Sequence, residues 1–300
     1  MGCPYISVLT VSSGRRALLR RQADALRAQT LAPDRFEWVV CLNGGDDGTR
    51  AELEGLELPF GLRVVETDER LPAGRARNAC AQRTCGGILL FSDDDCAPAP
   101  ESLAAHVALQ ESGLCVALGA IDFASEAGTR RWRPRRARYW LLNGANSAVP
   151  AVHFRAVGGF SEALAGYGGE DLELGYRLAR AGVPFRVLPA ALTVHQGEDA
   201  RAGADAGKAR GAGANAARLA RMYPELRWRL GLHPFQLGLK RFLLGTGLGG
   251  LLTALGGGSV AYERAYLEGA VGERAVGEGA VGEGAGGRPQ EGPASMEDAR

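Results

Sequence analysis

Four short β-rich runs, Tyr5–Val11, Phe36–Cys41, Leu62–Glu66 and Gly87–Phe91, recur within the first third of the chain, separated by helical stretches and turns. Most of their side chains are apolar on both sides of the strand, the mark of strands covered on both faces. Between the first two, Arg15–Gln29 sets Leu18, Leu19, Ala25 and Leu26 on one helical face and Arg20, Asp24 and Arg27 on the other. "AGRARNACAQR" reads as a second helix ahead of the fourth strand. This alternation predicts an α/β fold, Rossmann-like, with a mixed, mostly parallel central sheet, helices on both faces and a cleft at the carboxyl ends of the strands. A chain of 300 residues with 46% hydrophobic content can bury a large core. Its 35 basic and 34 acidic residues leave a net charge of +1, which argues against nucleic acid as a main partner.

The fourth strand runs into three aspartates, "ILLFSDDDCAPAP" (88–100). Side by side at a strand end, Asp93, Asp94 and Asp95 repel one another unless a cation sits among them. If the segment is extended, side chains alternate, so Asp93 and Asp95 face one cleft and Asp94 points away. Two carboxylates are few for calcium but suit magnesium or manganese, whose other ligands are waters and phosphate oxygens. A solvated acidic turn is the competing reading. Some seventy-five residues on, "GGFSEALAGYGGEDLELGYRLARAG" predicts a helix over Glu170–Ala181, with Glu173, Arg177 and Arg180 as a polar stripe and Asp171 on the apolar side. A carboxylate directed inward from the first turn is a candidate general base, with Glu170 beside it either sharing that site or serving as a plain first-turn acid.

In order and spacing, "SVLTVSSGR", "LRAQT", "LNGGDDGT", "LPAGRARNAC", "LLFSDDDCAP", "GANSAVPAVHFRAVGGFSEALAGYGGEDLELGYRLARAG" and the later "TVH" resemble the family-2 glycosyltransferases of the GT-A, nucleotide-diphospho-sugar fold, across roughly residues 5 to 196. That resemblance implies a nucleotide-diphosphate sugar donor, an acceptor of unstated identity and a divalent metal, manganese or magnesium. It implies that Asp95 and Asp93 belong to the DxD element, Asp95 on the metal and Asp93 by the ribose, with His195 as a further metal ligand. Asp171 falls on the ED motif, whose aspartate deprotonates the acceptor in inverting members. Thr10, Ser12, Asn43, Asp47, Arg75, Asn78, Asp94 and Asn146 fall along the donor site. Leu42 stands where relatives often carry an aspartate for the base or ribose, which leaves Asn43 or Asp47 to substitute. Two rivals stay open: a sugar-nucleotide-forming nucleotidyltransferase, for which "SSGRR" is a poor triphosphate loop, and a non-catalytic scaffold or carbohydrate-binding relative.

Outside this stretch the sequence predicts less. "RRWRPRRARYW" (130–140) reads equally as a solvated loop and as a loop over the cleft. The expected organisation is a catalytic domain over 1–200, a helical extension over 201–262 that is weakly helical at its start, and a disordered tail over 263–300, where Gly-rich pentads repeat. "FLLGTGLGGLLTALGGG" (242–258) is seventeen residues long, short for a spanning helix, and basic residues precede it; peripheral membrane contact and packing on the catalytic domain both fit. Six scattered cysteines without a CxxC pair and a start without a secretory pattern point to free thiols in the cytoplasm, at the inner membrane face if contact is made.

Overall fold

The computed structural model describes residues 5–125, 128–196, 206–254 and 258–282. Its first half contains β1 (Ile6–Ser12), α1 (Arg16–Arg27), β2 (Phe36–Asn43), α2 (Thr49–Glu54), β3 (Gly61–Thr67), α3 (Ala73–Ala81), β4 (Ile88–Phe91) and β5 (Cys96–Pro98). There follow α4 (Ser102–Glu111), β6 (Val116–Ser125), β7 (Gly128–Trp132), β8 (Ser147–Pro150), α5 (Ala151–Ala156), α6 (Glu170–Arg180) and β9 (Phe185–Gln196). The extension comprises α7 (Ala206–Met222), α8 (Pro234–Gly245), α9 (Gly250–Ala254) and α10 (Val260–Gly282).

Among the described residues nine strands form one sheet, ordered β3-β2-β1-β4-β8-β6-β9-β5, with β7 beside β6. The first four strands are parallel. Beyond β4 the sheet is mixed: β8 runs antiparallel to β4 and β6, β9 parallel to β6, and β5 antiparallel to β9. Two hydrophobic clusters flank it. Leu19, Leu26, Leu103 and Val107 of α1 and α4 pack with Val8 and Trp38. On the other side Ala76, Phe154, Leu174 and Leu178 of α3, α5 and α6 pack with Leu9, Val39 and Phe91. The central strands β1, β2 and β4 are therefore covered on both faces, as their composition requires, and β1 and β4 deliver Ser12 and Asp93–Asp95 to the same edge.

Three sequence expectations need correction. Residues 206–222 form a full helix rather than a weak one, and α10 carries the expected tail as helix to Gly282; residues 197–205 and 283–300 lie outside the described residues. Glycine spacing explains this. A Cβ at Gly213 would strike the Tyr266 carbonyl and one at Gly269 the Arg210 carbonyl, so α7 and α10 touch backbone to backbone. Ala216, Ala217, Ala220 and Ala270 fill the contact, and Arg218 and Arg221 bond Glu273. Close packing thus offsets the ordering entropy that composition alone suggested was prohibitive. The expected boundary at residue 262 also falls inside α10. Finally, "RRWRPRRARYW" is not loop throughout: its start completes β7 and Tyr139–Leu141 is a 3-10 turn, whose Tyr139 ring sits 5.7 Å from that of Tyr176 on α6. None of the described helices is long and apolar enough to cross a membrane.

Candidate active site

The aspartates occupy a turn, not an extended strand: the Cys96 amide donates to the Asp93 carbonyl over 3.0 Å. Gln22 of α1, itself buried, fixes that turn by donating to Ser92 Oγ and to the carbonyls of Asp93 and Cys96. Alternation therefore fails here. Asp94 is buried, accepting from Ser12 Oγ and Arg15 Nη1, both at 2.6 Å, while Arg15 Nη2 reaches Asp95 at 3.1 Å. Burial pushes Asp94 up to about 6, against the opposing pull of Ser12 and Arg15. Asp93 turns instead to Arg77 Nη2 at 2.8 Å, so Asp93 and Asp95 do not share one partner.

His195 reaches Asp95 through strand register. In the antiparallel β5·β9 pair it lies opposite Cys96, and its Nε2 is 3.2 Å from Asp95 Oδ1. Ligand atoms of Asp95, Cys96 and His195 lie within 4.8 Å of one another. Burial holds the Cys96 thiol well above its ordinary range, which leaves Asp95 and His195 as the harder donors. The His195 Nδ1 is buried with no hydrogen-bond partner. A carboxylate beside an imidazole is a donor pair that fits a divalent ion; Asp93, as it stands, is held away from it.

Arg77 joins this turn to α6. Its Nη1 lies 3.2 Å from Glu170 and 3.3 Å from Asp171, and a Cβ at Gly144 would collide with its Nη2. Gly144 donates its amide to Asp171 Oδ2 at 3.1 Å. Burial pushes Asp171 up to about 7; Arg77 pulls it down, while Glu170 and Asp93 push with burial. Burial alone would lower Arg77, yet Asp171, Asp93 and Glu170 together hold its guanidinium firmly protonated. Of the polar stripe of α6, Glu173 and Arg177 meet protein while Arg180 stays exposed. Glu173 is fully buried, binding Arg177 and the Tyr223 hydroxyl after α7.

Most other expected donor-site residues are committed elsewhere. Thr10 Oγ1 donates to Gln22 and accepts from Trp38. Asn43 ties β2 to the backbone of Leu71, Asn78 clamps the backbone of Phe160, and Asn146 bridges His106 to the carbonyls of Ala120 and Ala191. Asp47 stays half exposed at the turn, bonded to Thr49 and 3.6 Å from Arg16. Arg75 points to solvent. The arginine of "RARN" that meets the cleft carboxylates is Arg77, which the sequence reading did not name, although a wheel could have found it: Gly74, Arg77 and Ala81 share the buried face of α3, one and two turns apart. Arg15 and Gln22 had no comparable signal, because their partners in the acidic turn lie seventy or more residues away.

A cleft built this way, with an acidic turn after a central strand and an acid pair opening a later helix, has counterparts in known proteins. Residues 7–168 match the glycosyl transferase family 2 model. The chain belongs to that family. Validoxylamine A glucosyltransferase from Streptomyces hygroscopicus subsp. limoneus is 31% identical to this family-2 chain, over 61% of it and 50% of the relative. Glycosyltransferase AglE from Haloferax volcanii is 26% identical over 42% of each. The chain spans about half the length of the curated relatives it matches first. Among solved structures, the mannosyltransferase PcManGT from Pyrobaculum calidifontis, in complex with GDP-Man and Mn2+, superposes with a TM-score of 0.64 at 20% identity, over 90% of this chain and 88% of that one. GalNAc-T7, solved with UDP, GalNAc and Mn2+, gives 0.56 at 18%, over 73% and 48%. Such identities speak to fold: the family-2 chain has the GT-A architecture, with its mixed sheet between helices.

Proposed function

We propose that this chain is a glycosyltransferase that moves a sugar from a nucleotide-diphosphate donor to an acceptor hydroxyl with inversion at the anomeric carbon. The observation that carries this reading is Asp171. It is a cleft carboxyl raised to about 7, oriented by the Gly144 amide and Arg77, and linked through Arg77 to the acidic turn. A base with that value is half ionised near neutrality and takes a proton from a hydroxyl as attack proceeds. Asp95 and His195 would hold a divalent metal, manganese or magnesium, which when bound offsets charge on the leaving diphosphate. Asp93, whose side chain stays partly exposed while paired with Arg77, would face the donor ribose. Arg77 keeps Glu170 and Asp171 together on the acceptor side. As the acceptor oxygen bonds the anomeric carbon, the bond from that carbon to phosphate oxygen breaks; nucleoside diphosphate departs and the hydroxyl proton rests on Asp171.

The binding of GDP-Man by one fold neighbour and of UDP by another supports a nucleotide-sugar donor but leaves the sugar and the acceptor open. A panel of nucleotide sugars, assayed with manganese and again with chelator, tests the reading. Release of nucleoside diphosphate rather than pyrophosphate is expected, lost in chelator and in Asp95→Ala and Asp171→Asn. Full transfer by either folded variant would sink the assignment.

A further inference from the structure

The extension presents a surface that the cleft does not use. On α8, Phe235, Leu239 and Phe242 recur at spacings of four and three, which sets them on one stripe, and all three are exposed, at 67%, 42% and 59%. Trp228 continues the stripe at its start, with its ring stacked 6.5 Å from Phe235, and Leu248 and Leu251 after the helix are exposed as well. The opposite side of the helix is satisfied, since Leu237 packs on the cluster formed by Ala216, Ala220 and Ala270 of α7 and α10. An apolar stripe this continuous is unusual on a surface that meets only water.

Charge identifies the occupant. From Leu226 to Tyr262 the chain contains no aspartate or glutamate, while Arg227, Arg229, Lys240 and Arg241 lie within it. Lys240 is drawn inward to Glu263 at 2.8 Å and Arg241 lines the groove against α10 beside Glu268, but Arg227 and Arg229, on either side of Trp228, are exposed. Phenylalanine, leucine and tryptophan with arginines beside them and no acid in their own segment match the interface of a bilayer bearing anionic headgroups. A second copy fits poorly, because a two-fold contact through this face would set arginine against arginine.

We infer that the α8 face docks on an anionic phospholipid membrane, inserting Phe235, Leu239 and Phe242 at headgroup depth without spanning the bilayer. The segment that leads into α8 touches the one that leads to Gly144, and on the proposed activity this links the docked face to the base. Arg229 lies 3.6 Å over the Trp140 ring, and Trp140 is four residues before Gly144, whose amide holds Asp171. Docking therefore brings that side of the enzyme close to the lipid surface.

Cosedimentation of the full chain with sucrose-loaded vesicles tests this. Vesicles of phosphatidylcholine with one quarter phosphatidylglycerol should pull the protein down. Neutral phosphatidylcholine vesicles, or anionic ones in high salt, should bind it about tenfold more weakly. The exposed double substitution Phe235→Ser with Phe242→Ser should reduce anionic binding by at least about tenfold while leaving the far-ultraviolet circular dichroism unchanged. Absence of binding to anionic vesicles, undiminished binding by the double variant, or a dimer that this variant dissolves would each overturn the assignment. These readouts do not involve sugar transfer, so they stand or fall apart from the proposed activity.

Discussion

Arg15 and Arg77 each gather carboxylates, Arg15 over Asp94 and Asp95, Arg77 over Asp93, Glu170 and Asp171, yet their side chains are 45% and 9% exposed. An exposed guanidinium is screened by water, and its ion pairs contribute little to folding. A buried one is different, since removing it strands its partners as uncompensated charge. The contrast divides the cleft into an exchangeable half, where one cation can give way to another, and a fixed half, where the cation is part of the protein.

The hardest blow to that division would come from Arg77→Met. It should destabilise the fold by about 3–5 kcal/mol in urea denaturation at neutral pH, whereas Arg15→Met should cost less than about 1 kcal/mol. Equal losses would erase the distinction. Next in size, Asp171→Asn should lower transfer by at least about a hundredfold, read as nucleoside diphosphate released, with the urea midpoint at neutral pH not lowered. A pH profile sharpens the same point. Because Asp171 acts only when ionised, kcat/KM should climb with pH through a midpoint near 7 and fall about tenfold per unit below it. Its stability linkage has the opposite sense. The folded state holds this proton more tightly than the unfolded chain, so the carboxyl erodes stability as pH rises from about 4 to about 7. Asn at this position should flatten that slope in denaturation curves taken across the range. Smallest of all, Asp94→Asn should leave most activity, because Asp94 is bonded to Ser12 and Arg15 and braces the turn, while Asp95→Asn should lose it; equal losses would mean that the turn acts as one unit.

What could be read from the sequence was whatever repeats over short distances. The strands β1 to β4, α1 and α6 follow from local periodicity, and so does the inward direction of Asp171. Illegible were the features fixed by distant partners. Asp93 and Asp94 point as they do because Gln22, some seventy residues earlier, folds their backbone into a turn, and strand alternation cannot anticipate that. Asn43, Asn78 and Asn146 looked like ligand contacts because their chemistry suits ligands equally well; only the fold shows that backbone groups already occupy them. For α7 and α10 composition misled outright. Glycine weakens an isolated helix, but glycine and alanine together permit a crossing that bulkier residues would block.

Cys96 sits in a strand of three residues, Cys96–Pro98, whose alignment against Thr193–His195 is what brings imidazole to carboxylate. Upstream, β9 skips from Leu188 to Leu192 as its neighbour β6 advances one residue, from Gly119 to Ala120. The β9 strand, paired with β6 on one side and β5 on the other, thus works as a vernier. Lengthening that irregularity by one residue would leave the sheet intact in outline but carry His195 to the opposite face, and the spacing between Leu188 and His195 therefore tolerates no odd-numbered change, however freely the surface loops vary in length.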